Sequence, residues 1–259
     1  MTFRPKLVAL DIDGTLVDQA RVLPDEVRSA VRRVLDAGAT VVLTTGRAWP
    51  GTETLFRELG LPPGPSVCAN GAQVIDYPPL NVRYEERFDP ADTIEKVARL
   101  APNVTLAVQD GIDWRVSKPF PDGELTGSVT VQSLAQLAER PVSRIVLRDP
   151  GSDGAAFNRM VESLGLHEVS YFIGWSAWLD IAPLGVDKAH GLARVAADLG
   201  LSAADVLAIG DGHNDIEMLR WAGRGVAVGD APDEVKAAAD HITGDFAAGG
   251  TVAELNRWF

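Results

Sequence analysis

The sequence has little of several features that would assign a protein class at once. Its single cysteine, Cys68, cannot form an internal disulfide, which favours a reducing compartment. No run of 18 apolar residues occurs, so we expect no transmembrane helix. The first residues include aspartates where a secretion signal would need an apolar stretch. We therefore expect no such signal and a cytoplasmic location.

Basic residues are also scarce. The chain has 24 Lys and Arg against 36 Asp and Glu, a formal net charge of −12. This charge would repel a phosphate-coated polymer, so we expect no nucleic-acid partner. Hydrophobic residues make up 46% of the 259 residues, which is enough to build a core and predicts a globular protein. The acidic excess is either a solvated coat or, in part, a cation site.

Short apolar runs that end in polar turn residues occur in the first and last parts of the sequence. They predict buried strands at residues 6–11, 39–44, 66–69, 206–209 and 226–228. Helical patterns of apolar residues separate these runs. Strands that alternate with helices in this way predict a parallel sheet with helices on its faces.

The middle of the chain has a different pattern. Residues 81–88 and 113–117 alternate polar and apolar side chains, which is typical of half-exposed strands. We therefore predict a doubly wound, Rossmann-like α/β core formed by residues 1–83 and 183–259. A smaller α+β domain, residues 84–182, would be inserted into it.

The first predicted strand ends in Asp11-Ile12-Asp13-Gly14-Thr15. Asp-Gly is common where strands end, so a simple turn is one interpretation. Asp11, however, closes an apolar strand at the carboxyl edge of an open sheet, where ligands bind in such folds. From these residues alone, both interpretations stay open.

A second acidic motif, Gly-Asp-Gly-His-Asn-Asp at 210–215, also follows a buried strand and opens a helix. Its Asp and Asn residues would be good helix caps. Asp211 and Asp215 would also face the same sheet edge as the two aspartates of the first motif. Four converging carboxylates repel one another unless a cation lies among them. Oxygen ligands without cysteine or a required histidine favour Mg²⁺ over zinc.

Two further features can bind phosphate. Thr44-Thr45-Gly46-Arg47 ends the second strand, and Lys188 lies at the start of a predicted helix. A threonine hydroxyl can donate a hydrogen bond to a phosphoryl oxygen, and a lysine can supply a positive charge. Each alone is more often a cap or a surface residue. Together with paired carboxylates and a metal, they provide what phosphoryl transfer through an aspartyl-phosphate needs.

These motifs, in this order, resemble those of the haloacid dehalogenase-like (HAD) superfamily. The chain is most similar to the Cof-like branch, whose α/β cap is inserted after the third core strand, and the resemblance covers nearly the whole chain. It implies that Asp11 is the nucleophile and that Asp13 is the general acid and base. An aspartate in the place of Asp13 goes with phosphatases in this superfamily, whereas dehalogenases and metal-pumping ATPases lack it.

The resemblance also assigns the remaining site residues. The substrate phosphate would be bound by Thr45, Gly46, Asn70, Lys188 and Asn214, with Thr44 as the second choice for the hydroxyl. Mg²⁺ would be held by Asp11, Asp13 (also through its backbone carbonyl), Asp211 and Asp215. Asn214 and Asp215 would complete or support the metal site. The cap sets substrate specificity in relatives.

The predicted activity is Mg²⁺-dependent hydrolysis of a small organic phosphate monoester, such as a phosphosugar. An inserted cap can close over a small ligand and exclude bulk water. A phosphomutase or phosphotransferase would use the same intermediate with another hydroxyl in place of water. A non-catalytic phospholigand-binding protein on this fold is the third hypothesis, although such a protein would be expected to have lost an aspartate or the lysine. The sequence carries no signal for the oligomeric state.

Several conspicuous residues have no functional pattern. His167, His190 and His241 lack the spacing of metal ligands, so we predict no zinc site. Cys68 ends a buried strand and is predicted to be a small core residue. Trp175 is predicted to pack within the cap or its hinge.

Overall fold

The structure is a computed structural model of the chain, and it describes residues 3–166, 169–173 and 177–259. The predictions for His167 and Trp175 lie outside the described residues. Within the described ranges, no helix is both long enough and apolar enough to cross a membrane.

Strands and helices alternate along most of the chain. In the described residues the strands are β1 (Leu7–Leu10), β2 (Thr40–Leu43), β3 (Gly64–Cys68), β4 (Gln73–Tyr77), β5 (Asn81–Glu85), β6 (Thr105–Asp110), β7 (Asp113–Val116), β8 (Val129–Val131), β9 (Arg144–Arg148), β10 (Val169–Ile173), β11 (Trp178–Pro183), β12 (Val206–Gly210), β13 (Arg224–Ala227) and β14 (His241–Ile242). The α-helices there are α1 (Asp25–Asp36), α2 (Trp49–Glu58), α3 (Ala91–Leu100), α4 (Leu134–Leu137), α5 (Gly154–Ser163), α6 (Lys188–Asp198), α7 (Ile216–Trp221), α8 (Asp233–Ala238) and α9 (Gly250–Leu255).

The chain forms two compact units, and the first contains residues 1–47, 52–83 and 187–259. Its main sheet is parallel throughout, in the order β14-β13-β12-β1-β2. Every residue of β1 and β12 is buried, as expected for strands covered on both faces. The predicted doubly wound α/β core is therefore confirmed.

The topology of this sheet shows where a ligand would bind. The chain passes from β1 to β2 on one side, and later returns to β12 on the other side of β1. The carboxyl end of β1 therefore lies at a topological switch point, where open α/β sheets bind ligands. β3 follows beside β2 through the Thr44–Val67 bridge, and it pairs with β4 and β5 in a three-stranded sheet.

The second unit contains residues 48–51 and 84–186. Its six-stranded sheet has the order β10-β11-β9-β6-β7-β8, and it is antiparallel except where β7 meets β8. An apolar cluster that includes Leu106, Ile145 and Phe157 joins this sheet to α3 and α5. A mixed sheet with helices gathered on it is an α+β arrangement, as predicted.

Two short segments depart from the predicted division of the chain. The sequence analysis placed residues 48–51 and 183–186 in the core, whereas the structure groups both with the second unit. Ala48 packs in an apolar cluster with Trp114, which belongs to the six-stranded sheet. β11 continues through Pro183, which still pairs with β10. Packing and strand pairing, which the local pattern does not show, decide both assignments.

Candidate active site

The first acidic motif lies against β12 and the loop that follows it. Asp11 is buried, and its backbone N–H donates a 3.0 Å hydrogen bond to the Ile209 carbonyl. Gly14 has φ +83°, and a Cβ there would lie 2.6 Å from the Asp211 carboxylate carbon. Thr15 Oγ1 donates to Asp211 Oδ1 at 3.0 Å. The close approach of the two acidic motifs therefore requires glycine at position 14.

Asp215 organises the second acidic motif from a fully buried position. Its Oδ2 accepts hydrogen bonds from the backbone N–H groups of Asp211 at 3.0 Å and Gly212 at 2.9 Å. Its Oδ1 accepts from Lys188 Nζ at 2.6 Å. A Cβ at Gly210 would lie 2.6 Å from Asp215 Oδ2, so only glycine leaves room for this carboxylate. Both oxygens of Asp215 are thus engaged in holding the loop and the lysine.

Lys188 is the first residue of α6, and it is completely buried. Asp187 caps this helix by accepting from the His190 N–H at 2.9 Å. Lys188 Nζ donates to Asp11 Oδ1 at 2.5 Å as well as to Asp215. Burial acts to lower the pKa of Lys188, but the charges of Asp11 and Asp215 outweigh it and raise the pKa above its usual value. The lysine is therefore a fixed buried cation.

Three carboxylates converge beside this cation. Asp11, Asp211 and Asp215 each offer an oxygen within 4.8 Å of the others. Burial, followed by the charge of Asp215, raises the pKa of Asp11 well above its usual value, although Lys188 opposes this. The same two causes raise the pKa of Asp211 to about 7. A divalent cation would relieve this repulsion, and an all-oxygen donor set suits a hard metal ion.

Asp13 is not part of this cluster, which corrects the prediction that four carboxylates converge. Ile12 is fully buried, and the chain turns immediately after it, because the Gly14 N–H bonds to the Val17 carbonyl. The Asp13 carboxylate is 56% exposed and forms an ion pair with Arg47. Arg47 Nε donates to Asp13 Oδ2 at 2.9 Å, and Arg47 Nη2 contacts Oδ1. The sequence analysis missed this pair, although Arg47 stands next to the Thr-Gly of its motif.

Thr45 and Asn70 lie in two turns that are bound to each other. The Thr45 N–H donates to the Val67 carbonyl at 2.9 Å, and the Asn70 N–H donates to the Thr45 carbonyl at 3.1 Å. Thr45 Oγ1 accepts from the Arg47 N–H at 3.1 Å. Asn214 Nδ2 donates to Asn70 Oδ1 at 2.9 Å, across 144 residues of sequence. These contacts bring together three of the segments that the sequence analysis singled out.

Glycines allow these turns to approach each other closely. Asn70 has a left-handed backbone with φ 51°, and Gly71 follows with φ 95°. A Cβ on Gly71 would overlap the Asp187 carbonyl and lie 3.2 Å from the Lys188 nitrogen. A Cβ on Gly46 would lie 3.0 Å from Asn70 Oδ1. The Asn70 turn therefore rests directly on the start of the helix that carries the buried lysine.

Thr44 and Thr45, the two candidates for the phosphate hydroxyl, differ in their surroundings. Both side chains are buried. In the described residues, Thr44 Oγ1 has no hydrogen-bond partner, whereas Thr45 Oγ1 is tied to the motif through the Arg47 N–H. The hydroxyl of Thr45 therefore has a defined place in the site.

Comparison with known proteins agrees with this fold. A sequence model described as haloacid dehalogenase-like hydrolase matches residues 8–255. The chain is 30% identical, over 98% of its length and 95% of the relative, to 5-amino-6-(5-phospho-D-ribitylamino)uracil phosphatase YcsE of Bacillus subtilis. It is 29% identical, over 93% of each chain, to pyridoxal phosphate phosphatase YbhA of Escherichia coli.

A solved structure extends the likeness to three dimensions. A haloacid dehalogenase-like hydrolase from Bacteroides thetaiotaomicron matches with a TM-score of 0.82 and 25% identity, covering 99% of this chain and all of the other. The fold and the sequence together define an enzyme of a hydrolase class. The chain belongs to the haloacid dehalogenase-like hydrolase family, as its motifs predicted.

The carboxylate cluster makes a prediction about pH. The pKa of Asp211 is raised from 3.8 to about 7, so the folded state binds the proton of the Asp211 carboxyl group more tightly than the unfolded state does. The stability that this contributes is present at low pH and is lost as pH rises through 7. We expect the melting temperature of metal-free protein to fall from about pH 4 to about pH 7, the interval between the unfolded and folded pKa values of Asp211, and to fall less in Asp211→Asn.

The exposed residue Asp25 provides the control, because its side chain is 88% exposed. Asp25→Asn should keep the wild-type dependence of melting temperature on pH. An Asp211→Asn variant with the same dependence as wild type would contradict the role given to burial and repulsion at this position.

Proposed function

We propose that the protein is a Mg²⁺-dependent phosphatase that hydrolyses a small organic phosphate monoester through an aspartyl-phosphate on Asp11. One observation carries this proposal. A carboxylate at the switch point of the sheet, Asp11, contacts a buried lysine, Lys188, and lies close to a second carboxylate, Asp211, whose pKa is raised. A carboxylate beside a buried lysine and a cation, which together would offset its charge and that of the phosphoryl group, is suited to attack on phosphorus.

The donor groups fit a magnesium ion. Asp11 and Asp211, with the backbone carbonyl of Asp13, are the direct ligands in this proposal. Asp215 supports the site, because Lys188 and two backbone N–H groups already occupy both of its oxygens. When bound, the metal would neutralise charge on the phosphoryl group.

The proposed reaction has two steps at phosphorus. Asp11 attacks the phosphorus, the bond to the leaving oxygen breaks, and Asp13 gives that oxygen a proton. Water then attacks the same phosphorus, Asp13 accepts the proton of the water, and the bond to Asp11 breaks to release inorganic phosphate. The phosphoryl oxygens would be bound by Thr45, Gly46, Asn70, Lys188 and Asn214.

The inserted region, residues 84–182, is proposed to decide which monoester is hydrolysed. The two relatives named above are phosphatases of small phosphorylated compounds. Their names support the same class of substrate, a phosphosugar or similar metabolite, for this chain. The cytoplasmic location inferred from the sequence stays a prediction.

A substrate panel tests the proposal directly. Purified protein is incubated with phosphosugars, nucleotides and cofactor phosphates, and inorganic phosphate is measured. We expect release from at least one ester, loss of activity with a chelator, and recovery when Mg²⁺ is added. Constant total organic phosphate with a rearranged product would indicate a mutase instead. Tight binding without turnover would indicate a phospholigand-binding protein.

A further inference from the structure

The ion pair between Arg47 and Asp13 has a geometry that restricts both side chains. Arg47 uses two nitrogens of its guanidinium, Nε and Nη2, to contact the two oxygens of the Asp13 carboxylate. Such a two-pronged contact fixes direction as well as distance, which a single charge contact does not do.

The backbone of Arg47 is held by the turns that carry the candidate phosphate ligands. Its N–H donates to Thr45 Oγ1 at 3.1 Å, and its carbonyl accepts from the Ala69 N–H at 2.9 Å. The guanidinium thus extends from a fixed backbone, and its side chain is only 21% exposed. Asp13, by contrast, is 56% exposed. The more confined partner therefore orients the more exposed one.

We propose that Arg47 is a positioning residue that holds the Asp13 carboxyl in place for proton transfer to the leaving group. This inference rests on the proposed phosphatase function. A general acid acts only within hydrogen-bond reach of its target, and small misplacements reduce the rate. For the transfer, one of the two contacts must open, so that one oxygen of Asp13 stays on the guanidinium while the other carries the proton. The proton passes from Asp13 to the leaving oxygen as the bond from phosphorus to that oxygen breaks.

Two phenolic esters of similar shape test this role. Phenyl phosphate has a basic leaving group that needs a proton, whereas p-nitrophenyl phosphate releases an anion that is stable without one. The value of kcat/KM reports the steps up to departure of the leaving group. In Arg47→Gln we expect kcat/KM to fall about 10- to 100-fold for phenyl phosphate and less than about 3-fold for p-nitrophenyl phosphate.

Matched variants separate positioning from general damage. Arg47→Lys keeps the positive charge but cannot make the two-pronged contact. It should recover part of the kcat/KM for phenyl phosphate that Arg47→Gln loses. Arg32→Gln removes an exposed arginine that pairs with Asp36 on α1, and should behave as wild type. In an Asp13→Asn background, adding Arg47→Gln should leave the ratio of kcat/KM for the two esters unchanged, because Arg47 acts on that ratio only through Asp13.

Other outcomes overturn the inference. Equal losses for both esters would mean that Arg47 binds the phosphate itself. Faster hydrolysis of phenyl phosphate by Arg47→Gln would mean that the ion pair holds Asp13 out of reach. Either result, with active wild-type protein, refutes only the role of Arg47. Wild-type protein that hydrolyses neither these esters nor the panel would refute the proposed function, and this inference with it.

Discussion

Replacement of Asp11 by asparagine is expected to reduce phosphate release at least about 10³-fold, because an amide cannot act as the nucleophile. The fold should survive the change, because asparagine has nearly the same size and Lys188 keeps its hydrogen bond to Asp215. Burial and the neighbouring carboxylates raise the pKa of Asp11, so its charge is unfavourable in the metal-free protein. We therefore expect a melting temperature equal to or above that of wild type.

The measurement combines turnover with stability. Phosphate release from the best ester of the panel gives kcat, and thermal unfolding gives the melting temperature of the same preparation. Asp36→Asn is the matched control, because Asp36 is an exposed aspartate on α1. Wild-type turnover in a folded Asp11→Asn protein would rule out the proposed nucleophile.

Replacement of Lys188 by methionine is expected to affect stability as well as turnover. The lysine is fully buried and bonded to both Asp11 and Asp215, so its loss leaves buried carboxylates without their cation. Removal of one partner from a buried ion pair typically costs about 3–5 kcal/mol of unfolding free energy. Methionine keeps the length of the side chain, so packing changes little. Turnover should fall as well, because the positive charge at the proposed phosphoryl site is lost.

Urea unfolding of metal-free protein measures this cost. Lys118→Met serves as the control, because Lys118 is exposed. Addition of Mg²⁺ should restore part of the stability of Lys188→Met, because a bound cation offsets the same carboxylates. If Lys188→Met unfolded at the same urea concentration as Lys118→Met, Lys188 would not be the cation that stabilises the buried carboxylates.

The buried strands of the core were predictable because their surroundings are uniform. A central parallel strand is covered on both faces, so its sequence is a continuous apolar run, as in β1 and β12. β8 was not anticipated, since Val129–Val131 is short and all three residues are exposed. β4 at Gln73–Tyr77 also escaped prediction, because it follows the Asn70 turn within a few residues and pairs with β3.

The candidate site was also predictable only in part from the sequence. Turn chemistry at strand ends pointed to Asp11 and Asp211, and a place at the start of a predicted helix pointed to Lys188. The structure brings these side chains to one place. The separation of Asp13 from that cluster followed from the direction of a single turn. Its partner Arg47 lies 34 positions away, and such a contact has no local signature.

The sequence by itself determined the fold class, the family and the positions of the acidic motifs, because apolar periodicity and turn residues are local properties of the chain. Only the tertiary structure decided which carboxylates converge, which one is paired with arginine, and how Asn214 reaches Asn70. These contacts depend on side-chain direction and on close backbone approach at Gly14 and Gly71. Both properties are set by packing between segments that are far apart in the chain.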